Sequence, residues 1–291
     1  MIVHIKPKKA ALLLCAAAAA IAGIVCAVVS VAVCVNAPAE KAEECVEVPI
    51  LMYHSVCINN KVNSEYCLPP EKFEGDLRYL SEKGYTAVFI SEIADYAEGK
   101  GELPEKPVAI TLDDGYYNGL CNVLPLLKKY DMKATVSVVG AYTEEYSRLG
   151  DTNPSYAYLS WDNIKYLARS GYFEIGNHTY SMHELSPRKG CGKISGESTE
   201  HYKTVLESDV MKLQNILRER CGITPDVFAY PYGEKSAESA AVLKEAGFRA
   251  ALTCDERINK IVRDPDILFS LGRINRASHY STAAFMAEYG L

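Results

Sequence analysis

The chain has 291 residues, with 31 Lys and Arg against 37 Asp and Glu and a formal charge of −6. Lys6, Lys8 and Lys9 all precede residue 37, which leaves 28 basic against 37 acidic residues beyond it, a net −9. That balance argues against nucleic acid or another strongly anionic polymer as the main ligand, and the length allows one sizeable core.

The three lysines are followed by Ala10 to Val35, 26 residues without a charge. A helix rising about 1.5 Å per residue crosses the hydrocarbon core of a bilayer in roughly 20 apolar residues, so the stretch is long enough to span. Lysines before it favour a cytoplasmic N-terminus with the bulk outside. We therefore expect a single-pass anchor in the cell membrane. Residues 1–36 form the cytoplasmic stub and anchor, 37–48 a linker, and 49–291 an extracytoplasmic domain whose motif-bearing core runs over 105–291. The alternative is a cleaved signal peptide, since Ala37-Pro38-Ala39 supplies small residues, but signal apolar regions run to only about 7–15 residues.

Ten cysteines suggest a disulfide framework until they are placed. Cys15, Cys26 and Cys34 lie in the apolar stretch and behave there as small hydrophobes. The seven others are an odd number and cannot all pair within one chain. No C-x-x-C or Cys/His zinc spacing is present. Cys57 with Cys67 is the most plausible local bridge, and the domain is large enough to fold without a framework.

A unit of helix, tight turn and apolar strand recurs along the domain. Residues 71–83 set Phe73, Leu77 and Leu80 on one helical face, Gly84 supplies a left-handed stop, and Tyr85 to Ile90 read as a strand. Residues 122–139 repeat it with Asp131 at the break and a strand from Ala134 to Val139. Residues 162–175 do so with Ser160 as N-cap and Gly171 at the stop, and 236–253 with Gly247. This is the grammar of a parallel sheet with crossover helices, in an α/β protein. Val108 to Leu112 is apolar on both faces, as a doubly covered parallel strand should be. An open sheet and a closed barrel both satisfy the pattern, and in either the chemistry collects at the C-terminal ends of strands.

Two motifs sit at such ends. Thr111-Leu112-Asp113-Asp114-Gly115 closes one strand, and Gly176-Asn177-His178-Thr179-Tyr180-Ser181-Met182-His183 follows another. One carboxylate and two imidazoles fill three positions on a divalent ion and leave room for water, while the second carboxylate is free to act as general base. Asp-Gly at a strand end is by itself usually a turn. His178 and His183 are five apart, about 140° off a shared helical face, so they fit a strand end and a returning loop instead.

Together these motifs resemble those of the polysaccharide deacetylases, the NodB-homology or carbohydrate esterase family 4 group. T-[FL]-D-D-G matches at Thr111 to Gly115, and H-[ST]-x-x(-x)-H at His178, Thr179 and His183, with a His spacing like that of the exopolysaccharide branch. Phe228 to Gly233 partly matches the third motif, and Pro49 to Ser55 is similar to the opening strand of that branch. The resemblance implies a distorted parallel (β/α) barrel, with Asp113 as base and Asp114, His178 and His183 as ligands of one divalent metal ion, zinc first, with cobalt, nickel or iron admitted. It implies Tyr232 at the oxyanion; with the family's general acid unmatched, His54, a candidate substrate-site residue, or His279 is the candidate to protonate the leaving amine. It also implies an N-acetylated glycan of the cell envelope as substrate, either peptidoglycan or an exopolysaccharide. Two departures stand out. Ala229 replaces the arginine that orients the base, and Leu271-Gly272-Arg273 lies where a Leu-x-His would supply the acid. They motivate a second reading, a glycan-binding protein that keeps the fold without turnover; a metal hydrolase acting on another acyl amide or ester is a third.

Overall fold

Proline at the first turn of a helix sacrifices no hydrogen bond, because the N–H it lacks has no intrahelical acceptor there. Among the described residues, the first helix accordingly starts on Pro70. The computed structural model describes residues 45–58 and 65–291. In chain order these form β1 (Val46–Val48), β2 (Ile50–Tyr53), β3 (Ser55–Val56), β4 (Cys67–Leu68), α1 (Pro70–Glu82), β5 (Thr86–Val88), α2 (Ile90–Ala97) and β6 (Pro107–Leu112). After a π turn follow α3 (Leu124–Tyr130), β7 (Ala134–Val138), α4 (Gly140–Leu149), α5 (Trp161–Arg169), β8 (Phe173–Asn177), α6 (Thr199–Ile216) and β9 (Val227–Ala229). The chain ends with α7 (Ser239–Glu245), β10 (Ala250–Leu252), β11 (Asn259–Ile261), β12 (Ile274–Asn275) and α8 (Thr282–Glu288).

Phe73, Leu77 and Leu80 of α1 are fully buried, as their spacing requires, and burial of each side chain is worth about 1.5–3 kcal/mol. Ser160 caps α5 by accepting the Asn163 N–H. Asp131 takes the left-handed conformation at the end of α3. The expected strand Tyr85 to Ile90 is shorter, because Ile90 already begins α2. The cause lies far along the chain: the Glu174 carboxylate accepts the N–H groups of Ile90 and Ser91, both at 3.2 Å. The 18-residue α6 was not among the expected elements.

The strands of the main sheet run in the order β10-β9-β8-β7-β6-β2-β12, with β5 also on β6, and every pairing is parallel. The result is a parallel-stranded α/β half-barrel. Leu271 bridges to Leu252 of β10, while Ile274 pairs with Leu51 of β2, so one short segment touches both edge strands. All six residues of β6 are buried. Leu51, Ile110 and Val136 pack with Phe73, Leu127 and Ile164, whereas Ile50 and Ala109 pack with Ile93, Leu206 and Leu243, so the sheet is covered on both faces.

Val46–Val48, expected in the linker 37–48, instead form β1 antiparallel to β11. Val48 is buried there, so the apolar alternation of Val46 and Val48 already belongs to the folded unit. The apolar stretch 10–35 lies outside the described residues. Among the described residues no helix is long and apolar enough to cross a membrane.

Candidate active site

The parallel register delivers five chain segments to one end of the sheet. Asp113 extends the β2–β6 ladder by one residue, donating its N–H to the Tyr53 carbonyl at 3.0 Å. Asp114 then turns left-handed at φ 68° and Gly115 at φ 74°. A Cβ on Gly115 would stand 3.0 Å from Val138 Cγ1, so glycine is needed for space as well as for φ. A non-glycine residue at positive φ costs about 1–3 kcal/mol and persists where its surroundings hold it. Here the turn points both carboxylates into a cavity of about 630 Å³ lined by Met52, His54, Tyr66, Asp113, Asp114, Tyr116, His178, His183, Lys189, Tyr232, Cys254, Glu256 and Asn275.

His178 follows β8 directly, and His183 returns on a loop whose backbone is pinned. Thr179, at φ 71°, donates its N–H to Asn177 Oδ1 at 2.9 Å, and the Asp209 carboxylate accepts the N–H groups of Tyr180 and Ser181 at 2.7 and 2.9 Å. The Ala229 carbonyl lies 2.7 Å from His178 Nδ1. A carbonyl only accepts, so that bond puts a proton on Nδ1 and turns Nε2 towards Asp114. His183 Nδ1 faces the hydroxyls of Tyr232 at 3.2 Å and Tyr142 at 3.4 Å, which can receive its proton in the same way.

Both Nε2 atoms face Asp114 Oδ1, at 3.6 Å for His178 and 3.0 Å for His183. The three candidate ligand atoms lie within 4.8 Å of one another. Asp114 Oδ1 is buried yet accepts no hydrogen bond. One carboxylate oxygen and two imidazole nitrogens converging at this spacing are a donor set that divalent ions take. Burial would raise the Asp114 carboxyl, but the two imidazoles hold it well below the usual carboxylate range. Burial would lower the His183 imidazole, and the adjacent Asp114 carboxylate reverses that and raises it.

Asp113 faces a different partner. Arg273, fully buried, grips it with two parallel bonds, Nη1 to Oδ1 at 2.7 Å and Nη2 to Oδ2 at 2.8 Å. Arg273 Nε donates to the Thr253 carbonyl at 2.9 Å. Burial pushes the Asp113 carboxyl up, but the guanidinium outweighs it and the net shift is downward. The arginine absent at Ala229 is thus replaced from the segment that joins the sheet edges. Sequence reasoning placed Arg273 in the region of the missing acid and assigned it no role. The one local signal is a charged residue between Leu271 and Ile274 on an apolar stretch.

Tyr232 sits in the turn after β9 at φ 58°, with its ring on the cavity wall. His54 follows β2, is half-buried on the cavity wall, and has a buried Nδ1 without a hydrogen-bond partner. Burial lowers its pKa despite the nearby carboxylates. His279 is exposed, lies tilted against the Tyr280 ring and does not line the cavity, so of the two candidate acids only His54 is in place.

A family model described as polysaccharide deacetylase matches residues 100–251. The chain is 27% identical over 196 residues to a poly-beta-1,6-N-acetyl-D-glucosamine N-deacetylase of Escherichia coli (strain K12), a match covering 61% of this chain and 29% of that protein. The chain thus matches under a third of the length of that curated relative. It is similar to the structure of IcaB from Ammonifex degensii, with a TM-score of 0.65 and 26% identity over 79% of this chain and 91% of that one. The fold is also that of the Streptococcus pyogenes deacetylase PplD solved in complex with acetate, at a TM-score of 0.68 and 23% identity over 84% and 98% of the two chains.

Proposed function

This chain belongs to the polysaccharide deacetylase family, and on that footing we propose that it is a metal-dependent hydrolase removing the N-acetyl group from N-acetylglucosamine-type residues of a cell-envelope polysaccharide. One observation carries the reading. Of two adjacent buried carboxylates, Asp114 faces two imidazole nitrogens and Asp113 is locked to a guanidinium. Adjacent carboxylates repel, and separate partners, the Arg273 guanidinium for Asp113 and the two imidazoles with the ion they would hold for Asp114, let both stay ionised for separate tasks.

Asp114, His178 and His183 would hold the ion. When bound, the ion supplies Lewis-acid polarisation and lowers the pKa of water, and zinc is the first choice for this donor set, with cobalt, nickel or iron also suited. Asp113 accepts the proton of the attacking water, kept ionised and fixed in direction by Arg273. The backbone N–H of Tyr232 donates to the acetyl oxygen as it gains charge. His54, the half-buried cavity imidazole with an unpartnered Nδ1, protonates the leaving amine. Tyr66, Tyr116 and Tyr232 give the cavity aromatic walls with polar tips, which suit the mixed apolar and hydroxyl faces of a sugar ring.

The substrate class follows the relatives by name, so poly-β-1,6-N-acetylglucosamine is the first polymer to test and peptidoglycan the second. The finer fold reading is a distorted (β/α) barrel. The Lys-flanked apolar stretch 10–35 supports a single-pass anchor with the catalytic domain outside the cell membrane.

The test is acetate release by the full chain from N-acetylglucosamine oligomers. We expect turnover that chelator removes and divalent ion restores. No acetate from any N-acetylated glycan at saturating zinc or cobalt would sink the proposal, and glycan binding unchanged by Asp113→Asn would then select the non-catalytic reading.

A further inference from the structure

β3 and β4 bring two thiols together behind one wall of the cavity. Their parallel register sets Ser55 opposite Cys67 and Val56 opposite Leu68. Cys57 Sγ lies 3.3 Å from Cys67 Sγ, with Cys57 buried and Cys67 partly exposed. The same two strands carry cavity residues at their starts. His54 precedes β3, Tyr66 precedes β4, and the two rings meet edge-on at 4.7 Å. The Ser55 N–H donates to the Tyr66 carbonyl at 3.1 Å.

We propose that Cys57 and Cys67 are a disulfide-forming pair whose bond fixes the His54–Tyr66 wall of the cavity. The sulfurs, 3.3 Å apart, need to approach by about 1.25 Å to reach the ~2.05 Å of a disulfide. The electron acceptor is a small-molecule disulfide such as oxidised glutathione. Cys67, the more accessible thiol, attacks one of its sulfurs as the thiolate and displaces the first glutathione thiol. Cys57 then attacks the Cys67 sulfur of the mixed disulfide and releases the second. Two protein thiols lose two electrons, the oxidant becomes two thiols, and both protons end on them. Burial pushes the Cys57 thiol up to about 11, consistent with Cys67 rather than Cys57 starting the exchange.

The wall effect rests on the deacetylase reading, but formation of the bond does not. The full chain is incubated with oxidised glutathione, its remaining thiols are alkylated, and it is digested without reduction. A Cys57–Cys67 cross-linked peptide is expected, with a melting temperature roughly 5–10 °C above that of the dithiothreitol-treated chain, as for a short closed loop in a domain of this size. A Cys57→Ser/Cys67→Ser double variant should show neither change. Separate alkylation of both residues, cross-links from either to another cysteine, or an unmoved melting temperature would overturn the pair. In acetate release, the oxidised chain should show a KM several-fold below that of the reduced chain with kcat kept. Equal KM values would overturn the wall effect alone. Absence of acetate in both states would count against the deacetylase reading and leave the peptide map and melting shift to decide the pair.

Discussion

A buried guanidinium is costly unless its charge and all its donors are matched, and Arg273 is matched by Asp113 and the Thr253 carbonyl. In the proposed reaction its value is direction, because two parallel bonds fix the carboxylate plane as well as its charge. Arg273→Lys keeps the charge but loses the fork, so we expect kcat to fall about 10–100-fold with KM and bound metal little changed. Arg273→Met also removes the cation that lowers the Asp113 pKa. A base works only when deprotonated, so the acid limb of the rate profile should move to higher pH. Loss of metal together with activity in either variant would show Arg273 to be merely structural. Asp113, Asp114, His178 and His183 were legible as a set because their chemistry is written in two short motifs. Arg273 was not, because its partner lies 160 residues away and only the sheet closure brings them together.

Elements were legible where their signals are local. The α1 face, the Ser160 cap and the left-handed stops all follow from neighbouring residues. The start of α2 depends on Glu174 of β8, whose carboxylate accepts two helix N–H groups and the Thr135 hydroxyl, the last at 2.7 Å. Burial is the main cause lifting the Glu174 carboxyl to about 6, against an ordinary 4.5, with its hydrogen bonds opposing. The folded state thus binds the proton more tightly than the unfolded one. The associated stability is full below about pH 4.5 and is lost as pH rises through about 6, roughly 2 kcal/mol in all. Glu174→Gln cannot titrate, so urea unfolding between pH 4.5 and 6.5 should show the wild type losing that much relative to the variant. Parallel stability curves for the two proteins would refute it.

At the scale of the molecule, parallel pairing turns scattered residues into one site. β2 brings His54, β6 the two aspartates, β8 His178, the turn after β9 Tyr232, and the segment closing on β10 brings Arg273. Repetition of helix, turn and strand made the parallel sheet legible, but strand order and the touch of Leu271 on β10 are long-range choices that periodicity does not encode. The seven described cysteines are all unbonded, and the core stands on apolar packing over both sheet faces. We therefore expect mild reduction to leave the full chain with a cooperative melting transition. Collapse of that transition would reverse the view that no disulfide framework is needed.

The central claim is that the two neighbouring aspartates do different work, and metal rescue separates them. Asp113→Asn keeps size but cannot take the proton, so bound metal should remain while acetate release falls about 10²–10⁴-fold. Asp114→Asn replaces an anionic ligand with a neutral amide, so metal affinity should fall first. We predict that excess divalent ion restores part of the Asp114→Asn activity and none of the Asp113→Asn activity. Rescue of Asp113→Asn with none for Asp114→Asn would contradict the assignment and exchange the two roles.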